Sequence, residues 1–246
     1  MVRDAVGAVG GPVRRAAGLL LRAVGGGVLA AHLAGLILLA LAIAVEAADE
    51  PPQVLVATLA ARLPAVWRLV AAVLGLVGVA VATTRLRRFG VILGLASCGV
   101  SPRVLLLVGA LCGAVGGGAS ALARSDTTDV PGSWVRGEGG WVHDGLGWPD
   151  AGVERVRPRP PPERNVWADL ANGAAAGACG AVLGLYAGAP GALLTSAVLL
   201  VADVVARGLC ERAALPPWGE GVPAAVALAI AGMVLVRAPI FPRRWG

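Results

Sequence analysis

Long apolar runs separated by short polar stretches dominate this chain. A helix of roughly 20 mostly apolar residues crosses a bilayer, and in lipid only helices or closed barrels satisfy every backbone group. A barrel would need short strands of alternating polarity, whereas these runs are unbroken, so they read as helices. The expected spans are about Ala23 to Val45, Val56 to Thr83, Val104 to Ala123, Val166 to Ala187, Gly191 to Leu209 and Val222 to Val236. Arg62, Pro64 and Arg68 lie in the first half of the second run, which leaves Leu69 to Ala82 as its strictly apolar part. Residues 1 to 22 carry Arg3, Arg14, Arg15 and Arg22 on a partly apolar background and suit an interfacial helix on the membrane surface. The predicted fold is an all-α polytopic membrane protein with about six transmembrane helices arranged 3+3. Residues 1–123 hold the interfacial helix and the first three spans, residues 124–165 a polar insert, and residues 166–246 the last three spans.

Arginine positions set the orientation. Basic groups at 3–22, 85–103 and 237–244 fall on one side of the membrane if the N-terminus is cytoplasmic, and the positive-inside rule is then satisfied. Both termini are accordingly expected in the cytoplasm and the insert on the opposite side. In the insert, Ser133 to Arg136 and Trp141 to Asp144 flank Gly137-Glu138-Gly139-Gly140, which reads as a β-hairpin. Trp134, Trp141 and Trp148 are equally compatible with anchors at the headgroup level. The stretch from Arg155 to Glu163 is rich in Pro and reads as a stiff, extended linker. About forty residues build little independent core, so the insert is a remnant or packs on a partner.

Composition narrows the function. With 57% hydrophobic and 15% charged residues and a mean hydropathy of +0.76, the chain is far from the balance of a soluble domain. All 21 basic residues are Arg, and without Lys a phosphate-binding loop of the Walker type cannot be built, so any ATP hydrolysis belongs to a partner. The net charge of +6 reflects loops between spans and does not indicate nucleic acid. Cys98, Cys112, Cys179 and Cys210 form no C-x-x-C pair and read as small apolar fillers, and no metal or cofactor site is expected.

Few residues offer chemistry. Asp203 and Arg207 lie one helical turn apart in the fifth span, either as an ion pair near the outer interface or as a substrate-facing or proton-coupled pair. His32 and His143 have no companions that make a catalytic site, and Asp169 and Asn172 form a polar entrance or cap their helix. With no nucleophile elbow and no H-E-x-x-H, no catalytic residue is assigned and the chain is not expected to be an enzyme. Gly109, Gly113 and Gly117, and Gly173, Gly177, Gly180, Gly184 and Gly188, form rows that let helices approach closely, unless they only reflect the general abundance of Gly.

Three stretches resemble one family. Arg85-Leu-Arg-Arg-Phe-Gly-Val-Ile-Leu-Gly-Leu-Ala-Ser-Cys-Gly-Val-Ser-Pro-Arg103, Glu211-Arg-Ala-Ala-Leu-Pro-Pro-Trp218 with Val222-Pro223, and Arg62-Leu-Pro-Ala-Val-Trp67 resemble segments of LptF/LptG. These are the permeases of the lipopolysaccharide-export ABC transporter, and the 3+3 layout and the Trp134 to Val142 region are similar too. The sequence departs from the family at Val91, where members usually carry Glu, at Glu46, Asp49 and Glu50, where members carry basic residues, and in an insert much shorter than the family's β-jellyroll. The resemblance implies a permease subunit that extracts a lipid or glycolipid, paired with a second LptF/LptG-like permease, a cytoplasmic ABC ATPase dimer and a periplasmic bridge protein. It implies that Arg85, Arg87, Arg88, Gly99, Ser101 and Arg103 couple to the ATPase. The arginines there also fit lipid phosphates or a topology signal alone. The competing expectations are a non-transporting scaffold and a secondary transporter that uses Asp203 and Arg207.

Overall fold

The computed structural model describes residues 2–46, 48, 52–98, 101–122, 134–137, 140–143, 166–211 and 217–237. Among the described residues, seven α-helices carry the fold: α1 (Val2–Glu46), α2 (Pro52–Arg88), α3 (Val91–Ser97), α4 (Pro102–Leu122), α5 (Val166–Tyr186), α6 (Gly188–Glu211) and α7 (Val222–Arg237), with a 3₁₀ turn over Pro217–Gly221. Strands β1 (Trp134–Gly137) and β2 (Gly140–His143) pair antiparallel, with Trp134 opposite His143. The polyproline-like stretch, Gly99 and the segment 238–246 lie outside the described residues.

Among the described residues, five helices are long and apolar enough to cross a bilayer, which makes the chain a multi-pass membrane protein. The fifth expected span is helical as α6, but its apolar part, Pro190–Ala206, is shorter than the others. Asp203 sits inside that stretch and lowers its hydropathy.

The N-terminal region differs from the expectation of a separate interfacial helix. No break divides residues 2–22 from the first span, because α1 runs on as one helix of 45 residues. Its buried positions Ala16, Leu20, Val24, Val28 and His32 recur every four residues and form one stripe. Leu20 packs in one cluster with Leu86 of α2, Ile92 and Leu95 of α3 and Leu105 of α4, so residues from Ala16 onward belong to the bundle. The opposite face of α1, including Leu29, Leu33, Ile37 and Leu41, is exposed, as a helix bounded by lipid requires.

Helix α5 is the centre. Of its apolar window 72% is buried, against 22% for α1 and for α7. It is also the least apolar of the five candidate spans, with a mean hydropathy of 1.2 against 1.9 to 2.6, since a helix surrounded by protein needs few lipid-facing side chains. Its contacts rest on glycine. A Cβ built on Gly109 of α4 would lie 2.8 Å from the carbonyl oxygen of Gly177, one on Gly113 would lie 2.9 Å from the Gly177 Cα, and one on Gly117 would lie 3.3 Å from the Gly173 Cα. Backbone therefore meets backbone along the α4–α5 seam, as the spacing of the two rows predicts. Further along α5, Gly180 and Gly184 admit α2 just as closely, at Leu76 and Thr83.

Candidate functional site

The end of the bundle that carries Arg85, Arg87 and Arg88 is more ordered than the loop expected there. Helix α2 continues to Arg88, and Gly90, with φ of 70°, takes the left-handed conformation that ends it. The Gly90 amide donates to the Arg87 carbonyl at 3.1 Å. Seven residues of helix follow as α3. Ile92 and Leu95 anchor α3 to the bundle, while Phe89, Val91 and Leu93 are exposed, Phe89 by 81%. Ser101 then caps α4: its hydroxyl accepts from the Arg103 amide at 3.3 Å, and Pro102 occupies the first helical position, where a missing N–H costs nothing. Arg85, Arg88 and Arg103 are exposed around this short helix.

Arg87 is engaged elsewhere. Its guanidinium donates to the carbonyl of Leu185, in the last turn of α5, and the Thr84 hydroxyl donates to the neighbouring carbonyl of Gly184 at 3.4 Å. The six residues assigned to coupling thus divide. Arg85, Arg88, Ser101 and Arg103 border α3, Arg87 joins α2 to α5, and Gly99 lies outside the described residues.

A second group lies at the other end of the bundle. Asp169, in the first turn of α5, is buried, and its Oδ2 accepts from both Nε and Nη2 of Arg68 on α2, each at 2.7 Å. One turn on, the Asn172 amide donates to the Glu220 carbonyl at 2.9 Å, and its oxygen accepts from the Ala224 amide at 3.1 Å, which ties α5 to the start of α7. The residue before Arg68 makes the next link: the Trp67 indole N–H donates to His32 Nδ1 at 3.1 Å, with the rings edge to face. His32 is buried and its Nε2 has no hydrogen-bond partner among the described residues. It lies against Gly116, where a Cβ would come within 2.6 Å of that nitrogen. Glu46 and Arg62 add an exposed ion pair between α1 and α2 at 3.3 Å, of a kind that contributes little.

Asp169 and Asn172, expected either to form an entrance or to cap α5, instead make the contacts that hold α2 and α7. Sequence reasoning treated Arg68 and Asp169 separately, as an interruption and as a helix start. The signal that could have joined them is opposite charge at the same depth of two spans, because intramembrane charges seek partners. Asp203 is buried on α6, on the same face as Thr195 and Ser196, while the side chain of Arg207 lies outside the described residues. No group of three or more His, Cys, Asp or Glu residues that could hold a metal ion occurs among the described residues. In comparisons with known proteins, no family model matches the chain, and neither a curated protein nor a solved structure matches it.

Proposed function

We propose that the chain is the permease subunit of an ABC-type exporter of lipid or glycolipid, lying in a bacterial inner membrane with its arginine-rich end in the cytoplasm. The observation that carries this reading is α3: a short helix between two membrane spans, anchored by Ile92 and Leu95, that presents Val91 and Leu93 outward, with Phe89 in the turn before it, beside Arg85, Arg88 and Arg103. Apolar side chains ringed by cations at the aqueous end of a bundle make a surface for a protein with an acidic rim and an apolar pocket. A cytoplasmic ATPase dimer that closes on ATP would push this helix and move the spans it joins as rigid bodies. The absence of Lys, which denies the chain its own Walker loop, agrees with an ATPase supplied in trans. A second, similar permease would complete the cavity from which lipid leaves, and a periplasmic bridge protein would receive it.

The test is purification of the tagged chain from its native membranes in mild detergent, with mass spectrometry of what remains bound. A stoichiometric ATPase that is lost from the Arg85→Ala/Arg88→Ala/Phe89→Ala variant supports the reading. A chain that purifies alone argues for a scaffold. The buried Asp203 favours one other reading, a secondary transporter, in which Asp203→Asn abolishes transport and no ATPase is needed.

A further inference from the structure

We infer that Arg87 is a positioning residue that ties the α3 segment to the carbonyl end of the central helix α5, and that it is not part of the surface that meets the ATPase. The inference rests on the permease reading above. It begins with the hydrogen-bond needs of a helix end, where the last four carbonyls lack partners within the helix. In α5, the Leu183 carbonyl accepts from the Ala187 amide at 2.8 Å. Gly188, with φ of 69°, then turns the chain into α6. The next two carbonyls, of Gly184 and Leu185, are met by Thr84 and Arg87, both from α2. A guanidinium there also faces the negative end of the helix dipole.

Helical spacing explains why three nearly adjacent arginines do different work. Ala80, Thr83, Thr84 and Arg87 recur at intervals of three and four and share one face of α2. That face meets α5: Cβ atoms built on Gly184 would strike Thr83 and the Ala80 carbonyl. Arg85, Arg88 and Phe89 are likewise spaced by three and four, which puts them on a different face beside α3; Arg87 is exposed as they are, so its bond to α5 and not burial sets it apart. A push delivered to α3 therefore reaches α5 through the last turn of α2, where Arg87 is the charged link. Because α4 is interlocked with α5 along the glycine seam, α4 and α5 respond as one body.

The experiment uses the complex of the chain with its co-purified ATPase, in nanodiscs of phosphatidylethanolamine and phosphatidylglycerol. Spin labels are placed at Val45→Cys on α1 and Trp167→Cys on α5, both exposed, in a Cys98→Ser background. Double electron–electron resonance reads the distance before and after trapping with ATP and vanadate. The expected result is that Arg87→Gln keeps the ATPase bound and hydrolysing but reduces the nucleotide-driven shift by about fivefold or more. Arg87→Lys, which keeps a long cationic donor where the shorter, neutral Gln does not, restores most of the shift and serves as the test if the Gln variant does not fold. A full shift in Arg87→Gln, no shift in the wild-type complex, or loss of the ATPase from Arg87→Gln as from Arg85→Ala/Arg88→Ala would overturn the inference. A wild-type chain with no bound ATPase instead overturns the permease reading, and the inference with it.

Discussion

Replacing Arg68 with Leu is the most informative perturbation of the polar layer. Asp169 is buried, with 8% of its side chain exposed, and one of its oxygens accepts two guanidinium N–H groups at 2.7 Å. Removing the arginine takes the guanidinium away from a carboxylate inside the bundle, and breaking a buried pair in this way costs about 3–5 kcal/mol. Because 21% of the Arg68 side chain reaches the surface, the lower part of that range, about 3 kcal/mol, is expected. The reverse change, Asp169→Leu, is expected to cost less, about 1–2 kcal/mol, since a long arginine can swing its charge toward the interface while a short carboxylate cannot. In the double variant neither charge is left behind, so the two costs should fail to add by about 2 kcal/mol. Reversible unfolding of the four proteins by SDS in mixed micelles at neutral pH, read by circular dichroism, measures all of these differences. A coupling below about 0.5 kcal/mol, the ordinary scatter of additivity, would refute the claim that the pair is buried and mutually dependent. Equal costs for the two single variants would refute the argument from side-chain length.

Other consequences follow from the same packing. Gly113→Ala places a methyl group against the α5 backbone at Gly177 and should cost about 1–3 kcal/mol in the same unfolding assay, with Gly113→Leu preventing assembly of the seam. The exposed Gly232 has open space at its Cβ, and Gly232→Ala should leave stability unchanged or slightly raised. Asn172→Ala leaves the Glu220 carbonyl and the Ala224 amide without their partner and should cost about 1–3 kcal/mol, with faster hydrogen exchange at the start of α7. Gly116→Ala should displace the His32 ring from Trp67, so that the indole N–H resonance of ¹⁵N-tryptophan-labelled protein moves as it does in His32→Ala. An unmoved resonance would show that the methyl group is accommodated without displacing the ring.

The all-helical class and most of the span positions were legible because each rests on a local property. A segment must be apolar enough and long enough for the bilayer, whatever its neighbours do. Glycine rows were legible for a related reason: spacing of four puts them on one face, and a face without side chains is suited to close contact. The continuity of α1 through residue 22 was not legible, because arginines on an apolar background resemble an interfacial helix, while the stripe of Ala16, Leu20 and Val24 that draws this region into the bundle acquires meaning only with α2, α3 and α4 beside it.

The sequence by itself thus determined that this chain resides in a membrane, which stretches are helical, and that α4 and α5 carry faces built for close packing. Only the tertiary structure decided partnership: that Arg68 meets Asp169, that Asn172 holds the start of α7, and that Arg87 serves α5 while Arg85 and Arg88 face outward. Hydropathy and helical period are sums over neighbours along the chain. Pairing of polar groups depends on distances between residues about 50 to 100 positions apart, which only the packed helices fix.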